Sequence, residues 1–254
     1  MDKFLSCDWG TSYFRIRLIS LPGLIVLAEE NSGQGIASVF NLLKEKKLIK
    51  EDHFDFYLSI LNKGIKNLEQ QLQTGLKNIP VIISGMASSS IGMIEIPYKF
   101  LPFHVDGSDL IAKKIAVTER FPNDIFIISG IRTENDVIRG EETQLMGCSE
   151  EDGLYLFPGT HSKHITVKNG AAVDFKTYMT GEVFGLLARQ SILSSSIVKA
   201  KATGQSLPAF DKGVHDAAIN LLHASFLDVQ INSPILSKEK TIILSGCLLP
   251  RLKD

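Results

Sequence analysis

One stretch near the N-terminus constrains the fold more than any other. Phe4-Leu5-Ser6-Cys7 runs into Asp8, Trp9-Gly10-Thr11-Ser12 breaks the run, and Phe14, Ile16 and Leu18 then alternate with Arg15 and Arg17. The pattern predicts two strands joined by a short turn, with a carboxylate where the first strand ends. Such a turn suits phosphate: Gly10 lets backbone approach an anion, and Thr11 and Ser12 offer N–H groups and hydroxyls. Asp8 is placed to hold Mg²⁺ directly or through water. A plain tight hairpin, with Asp and Gly serving only as turn residues, reads the same way.

The design recurs later. A strand over Leu154–Phe157 leads into Pro158-Gly159-Thr160-His161-Ser162-Lys163, and a second strand runs over His164–Val167. Asn169-Gly170 then makes a two-residue hairpin into Ala171–Phe175. Two Gly-Thr hairpins about 150 residues apart predict two related half-domains, each offering a phosphate turn to a shared cleft. There is no Gly-x-x-x-x-Gly-Lys-Ser/Thr, so a P-loop is excluded. Gly33-Gln34-Gly35 lacks the third glycine of a dinucleotide site and reads as a turn.

Composition removes other classes. With 254 residues, 44% of them hydrophobic and 22% charged, the chain can bury a sizeable core as one large domain or two smaller ones. A net charge of −1 supplies no field for nucleic acid or an anionic membrane. The apolar runs fall short of a bilayer span, and Met1-Asp2-Lys3 leads straight into a strand rather than a signal peptide. Cys7, Cys148 and Cys247 fit no zinc or disulfide spacing, which points to a reducing cytoplasm.

The remaining segments read as α/β. Leu24–Glu29 completes a three-stranded meander, Val39–Lys47 and Ile60–Leu76 have helical spacing, and Pro80–Ser84 is a short buried strand closed by Gly85. Ser88, Ser89 and Ser90 follow at a helix start, as caps or as ligand-binding hydroxyls beyond a strand's carboxyl end. Glu95-Ile96-Pro97-Tyr98 is irregular, a crevice wall or a surface loop. After a strand over Ile125–Ser129, the span Thr133–Gly147 reads as a helix that tolerates Gly140 at up to ~1 kcal/mol. Its dense charges form intrahelical pairs such as Asp136–Arg139, or face a cleft with one carboxylate as general base. Thr180 and Glu182 cap an apolar helix over Val183–Leu193, whose N-terminus also suits an anion. A helix over Val214–Phe226 and a strand over Thr241–Ser245, ending at Gly246, complete the reading.

Taken together, these pieces resemble the 2-dehydro-3-deoxygalactonokinase family. The resemblance rests on Asp8 to Ser12 with Phe14-Arg15, Ser84-Gly85-Met86 with Gly92, Glu95 to Tyr98, Asp136 to Gln144, Pro158 to Lys163, and Met179 to Glu182. It implies a ribonuclease H-like, actin/hexokinase-like fold of two α/β domains around a nucleotide cleft, divided into residues 1–132 and 133–254. It also implies transfer of the ATP γ-phosphoryl group, with Mg²⁺, to the 6-hydroxyl of 2-dehydro-3-deoxy-D-galactonate. On that resemblance Asp8 serves the metal, and Gly10, Thr11, Ser12, Arg15, Gly159, Thr160, Ser162, Lys163 and Gly246 serve the nucleotide. Ser88, Ser89, Glu95, Tyr98 and Arg139 would face the sugar acid. Asp136 is the expected base because the hexokinase-like pattern opens the corresponding helix with an Asn-Asp pair; Glu141 and Glu142 are the alternatives. Family members usually continue past the Leu-Ser-Gly strand, matched here by Leu244-Ser245-Gly246. The expectation is that part of the adenine-side wall is missing or comes from a partner chain, as in a homodimer. A binding protein without turnover and a phosphohydrolase of the same superfold are the competing classes.

Overall fold

In the computed structural model, alternate residues of the first strands are sealed from water. β1 (Lys3–Trp9) buries Leu5, Cys7 and Trp9, and β2 (Phe14–Ser20) buries Phe14, Ile16 and Leu18. The two pair antiparallel, setting Asp8 opposite Arg15 and Trp9 opposite Phe14. Residues 2–118, 121–148, 151–196 and 241–243 are described by the structure. The chain divides into two units, Met1–Ser149 and Glu150–Asp254.

In the first unit β3 (Ile25–Ser32) adds antiparallel to β2. The chain then crosses over through α1 (Ile36–Glu45) and α2 (Lys50–Leu72) to β4 (Val81–Gly85), which lies parallel to β1. A parallel neighbour requires such a crossover, and the helices cover the sheet. Ile36, Val39 and Leu43 of α1 and Tyr57, Leu61, Ile65 and Leu68 of α2 recur at helical spacing and are buried. Tyr57 stands edge-on to Trp9 at 5.6 Å and donates its hydroxyl to Ile91 O at 2.5 Å. Short strands follow: β5 (Lys99–Phe100), β6 (Phe103–His104), β7 (Ala112–Ile115), β8 (Ile125–Ile128), β9 (Ile131–Arg132) and β10 (Val137–Ile138). The main sheet runs β3-β2-β1-β4-β8-β7. The unit closes on α3 (Glu141–Cys148).

The second unit repeats this plan. β11 (Gly153–Phe157), β12 (Ser162–Lys168) and β13 (Ala171–Tyr178) form an antiparallel meander, with Asn169 and Gly170 both at positive φ in the tight turn. α4 (Thr180–Gln190) follows, and β14 (Thr241–Ile243) pairs parallel with β11. Thus β13-β12-β11-β14 repeats β3-β2-β1-β4. The doubled plan is that of the mixed α/β, actin-like ATPase fold.

Two expectations need correction. Thr133–Gly147 is not one helix: its first residues turn the β9–β10 hairpin. The Thr133 hydroxyl accepts the N–H groups of Asn135 (3.2 Å) and Asp136 (2.9 Å), a local arrangement that competes with helix. The Asn135-Asp136 pair therefore opens no helix, and Gly140, at φ +101°, precedes α3. Ser88 to Ser90 cap no α-helix either, since Met86–Ser88 is a single 3₁₀ turn. The segment 133–148 groups with the first unit. Helix α2 starts earlier than expected, at Lys50. Gly246 and the helix expected over Val214–Phe226 lie outside the described residues. Among the described residues no helix is long and apolar enough to cross a membrane.

The approach of α2 to β2 depends on Gly64, where an added Cβ would stand 2.7 Å from Phe14 Cε1. Alanine favours helix by ~1 kcal/mol, whereas overpacking a closed core costs about 1–3 kcal/mol. Overpacking should win: Gly64→Ala is expected to lower the urea midpoint, and a raised midpoint would show that Phe14 can give way.

Candidate active site

Asp8 ends β1, and the Gly10 N–H donates to Tyr13 O at 3.0 Å to close the turn. The turn's carbonyls point at α1: Gly10 O accepts from Ile36 N–H at 2.9 Å and Thr11 O from Ala37 N–H at 3.1 Å. Gly35 makes this contact possible, since a Cβ there would lie 2.3 Å from the Ser12 carbonyl carbon. With its carbonyls anchored, the turn leaves Thr11 and Ser12 exposed.

The Asp8 side chain is 46% exposed, and its Oδ2 lies 3.9 Å from Arg15 Nη1. Surrounding protein pushes this carboxyl above its ordinary range, and Arg15 and Arg17 pull it back. Arg17 is bound to Glu29, so Arg15 is the cation beside Asp8. Among the described residues no group of three or more His, Cys, Asp or Glu side chains could hold a metal ion. A single half-exposed carboxylate fits Mg²⁺ that arrives with nucleotide phosphates and keeps several waters.

The second turn is built the same way. Gly159 N–H donates to Ser162 Oγ at 3.3 Å, and Thr160 O accepts from Glu182 N–H at the start of α4 at 3.0 Å. Gly181 permits the approach, as a Cβ there would meet Gly159 O at 2.5 Å. His161 Nε2 lies 2.5 Å from Glu182 Oε2. Gly159 and Thr160 are exposed. Lys163 lies in the strand that follows this turn. It is buried, and its Nζ donates to Thr177 Oγ1 at 3.0 Å across the β12–β13 pair.

A third cluster lies where β1 and β4 of the first unit end. Gly85, at φ +90°, pairs with Trp9, and Gly140 crosses over Gly85. The next side chain back, Arg139, donates through Nε to Tyr98 Oη at 2.7 Å and through Nη1 to Ser88 Oγ at 2.7 Å and Ser88 O. Its guanidinium also stacks on the Tyr98 ring at 3.9 Å. Ser88, Tyr98 and Arg139 thus meet in one cluster. Ser89 is nearly buried and donates to Met86 O at 2.7 Å, while Glu95 is exposed on the irregular stretch before Tyr98.

The three carboxylates differ in setting. Asp136 is half-buried in the hairpin turn, with Oδ1 accepting Val137 N–H at 2.7 Å. Glu141 is half-buried at the start of α3. Glu142 is wholly buried: Oε2 accepts Gly140 N–H at 2.6 Å and Oε1 accepts the Thr143 hydroxyl at 3.2 Å. Burial, helped by the neighbouring Glu141 charge, pushes the Glu142 carboxyl up to about 8.

A family model described as 2-keto-3-deoxy-galactonokinase matches residues 8–246, from Asp8 to Gly246. The chain belongs to that family. It is 31% identical over 219 residues to a Rhizobium meliloti (strain 1021) protein named a probable 2-dehydro-3-deoxygalactonokinase, covering 83% of this chain and 64% of that one. It is 32% identical over 149 residues to the 2-dehydro-3-deoxygalactonokinase of Escherichia coli (strain K12), covering 55% of this chain and 48% of that one. A Sinorhizobium meliloti crystal structure assigned by name to the same enzyme superposes with a TM-score of 0.67 at 30% identity, covering 85% of this chain and 66% of that one. This family member therefore spans about two thirds and about half the length of the two curated relatives.

Glu142 makes a pH prediction. The folded chain keeps its proton to about 8, whereas the unfolded chain gives it up near 4.5. Its contribution to stability is full below about 4.5, falls as pH rises, and is lost above about 8. Glu142→Gln, permanently neutral, should lose less stability between pH 5 and pH 8 than the native chain, by on the order of a few kcal/mol. Urea unfolding at both pH values measures this, and equal losses would show that Glu142 is ionised in the fold.

Proposed function

We propose that the protein phosphorylates 2-dehydro-3-deoxy-D-galactonate at its 6-hydroxyl, with ATP as donor, in the cytoplasm. The observation that carries this reading is the duplicated turn. Each unit presents a Gly-Thr turn whose threonine is exposed and has its carbonyl held by the helix that follows, and backbone so fixed suits phosphate oxygens. In this reading Gly10, Thr11 and Ser12 bind from the first unit, and Gly159, Thr160 and Ser162 from the second.

Phosphoryl transfer asks the protein for positioning and charge compensation more than covalent chemistry. Bound Mg²⁺ would neutralise phosphate charge, with Asp8 as its protein carboxylate. Asp136 takes the proton from the acceptor hydroxyl, being the carboxylate in the hairpin that leads to Arg139. Arg139, fixed by Ser88 and Tyr98, faces the acceptor's carboxylate. Glu142, sealed from solvent with both oxygens engaged, is unsuited to proton transfer with a bound sugar. Free Cys7 and Cys148 agree with a reducing compartment.

A coupled ADP-release assay over a panel of 2-keto-3-deoxy sugar acids tests the reaction. Strict acceptor dependence with the galactonate derivative supports it, and ATP hydrolysis indifferent to any acceptor would replace it with a phosphohydrolase. Asp136→Asn should lower kcat at least ~100-fold, within the usual range for a general base, and leave the KM for ATP nearly unchanged. Unaltered turnover would remove Asp136 from the mechanism.

A further inference from the structure

A buried carboxylate that the proposed mechanism does not use lies three backbone contacts from the first turn. Glu142 Oε2 accepts the Gly140 N–H at 2.6 Å, in a site closed to water. Gly140, at φ +101°, lies on Gly85 so closely that a Cβ would be 3.3 Å from Gly85 Cα. Gly85, at φ +90°, lies in turn on the end of β1. A Cβ there would be 2.7 Å from Trp9 O and 3.6 Å from Gly10 N. No side chain intervenes between these three backbones, so a shift of Gly140 has nothing soft to absorb it.

We infer that Glu142 is a positioning residue for the Asp8–Ser12 turn, acting through Gly140 and Gly85. The inference rests on reading that turn as a phosphate site. Both glycines adopt backbone conformations open to few other residues, and neither has a side chain to lock it in place. The hydrogen bond from the buried carboxyl fixes Gly140, as Arg139 fixes the residue before it on Ser88. On its other side Trp9 is held by Nε1 donating to Gln34 O at 2.9 Å and by the Phe14 ring at 4.9 Å. The end of β1 is therefore clamped from two directions, and Glu142 closes one of them.

Trp9 is the chain's single tryptophan and is wholly buried, so its fluorescence reports on the clamped residue itself. The experiment compares Glu142→Gln, Glu142→Asp and Glu142→Ala in the full chain. Three readouts are taken: Trp9 emission, amide hydrogen exchange over residues 10–12 against 162–178, and kcat and KM for ATP. Loss of the bond in Glu142→Ala should shift Trp9 emission to the red. It should also speed exchange over 10–12 about tenfold, against no change over 162–178, and raise the KM for ATP more than it lowers kcat. Glu142→Gln, which keeps an acceptor in place, should restore all three to within about twofold of native. Glu142→Asp, one methylene short, should fall between them and answers the question if the alanine variant does not fold.

Native fluorescence and exchange in the Ala or Asp variant would overturn the inference. So would a Gln variant with native KM and abolished kcat, because the carboxyl would then act on the reaction. If the native chain lacks turnover, the kinase reading fails, and fluorescence and exchange still decide the clamp.

Discussion

The amides that open α1 and α4 are directed at the carbonyls of the two Gly-Thr turns, and the geometry of both turns follows from this. A helix start leaves several N–H groups without intrahelical partners, and in many proteins a side chain or a bound anion satisfies them. Here the Ile36, Ala37 and Glu182 amides are taken by Gly10 O, Thr11 O and Thr160 O. The helix grips the turn by its carbonyls, and the Gly10 and Gly159 amides close the turns themselves. Gly35 and Gly181 make the grip possible by removing the one Cβ that would hold helix and turn apart.

That arrangement also settles which charges stand near each turn. Lys163 is drawn into the β12–β13 pair by Thr177, and Arg15 lies beside Asp8. Phosphate recognition of the proposed kind then falls mostly on backbone dipoles held rigid by hydrogen bonds. Rigid dipoles need little reorganisation when a charged group arrives, whereas a flexible lysine must lose rotamer freedom to do the same work. The absence of a Gly-Lys-Ser/Thr motif from the sequence accords with this division.

Much of the fold was legible because burial along a strand has period two. Leu5, Cys7 and Trp9, then Phe14, Ile16 and Leu18, mark the inward face before any tertiary contact is known. The same rule held an unused signal for Lys163, which is in phase with the buried Ile165 and Val167. Glu142 likewise shares a helical face with Leu145, three residues on and also fully buried. The Thr133–Gly147 reading failed for a different reason. Thr133 can turn the chain with its own hydroxyl, and dense charge with sparse apolar residues looks alike in a hairpin turn and on a solvated helix. The roles of Gly35, Gly85, Gly140 and Gly181 were out of reach, since each depends on backbone brought close only by the finished fold.

One short segment joins the chemistry to the scaffold. Between Asp136 and Glu142 the chain carries the proposed base, the arginine proposed to face the acceptor, and the carboxyl inferred to clamp the sheet end. Arg139 is tied to Ser88, just past the end of β4, and Gly140 lies on Gly85 within β4. A ligand that draws on Arg139 therefore pulls on the residue next to Gly140, and Gly140 bears on Gly85 without an intervening side chain. Close-packed backbone transmits such a displacement instead of dissipating it. In a phosphoryl transfer between two small molecules, acceptor and donor sites must be aligned together. In the proposed reaction, the alignment on the first unit's side would depend on three backbones in contact and one buried hydrogen bond.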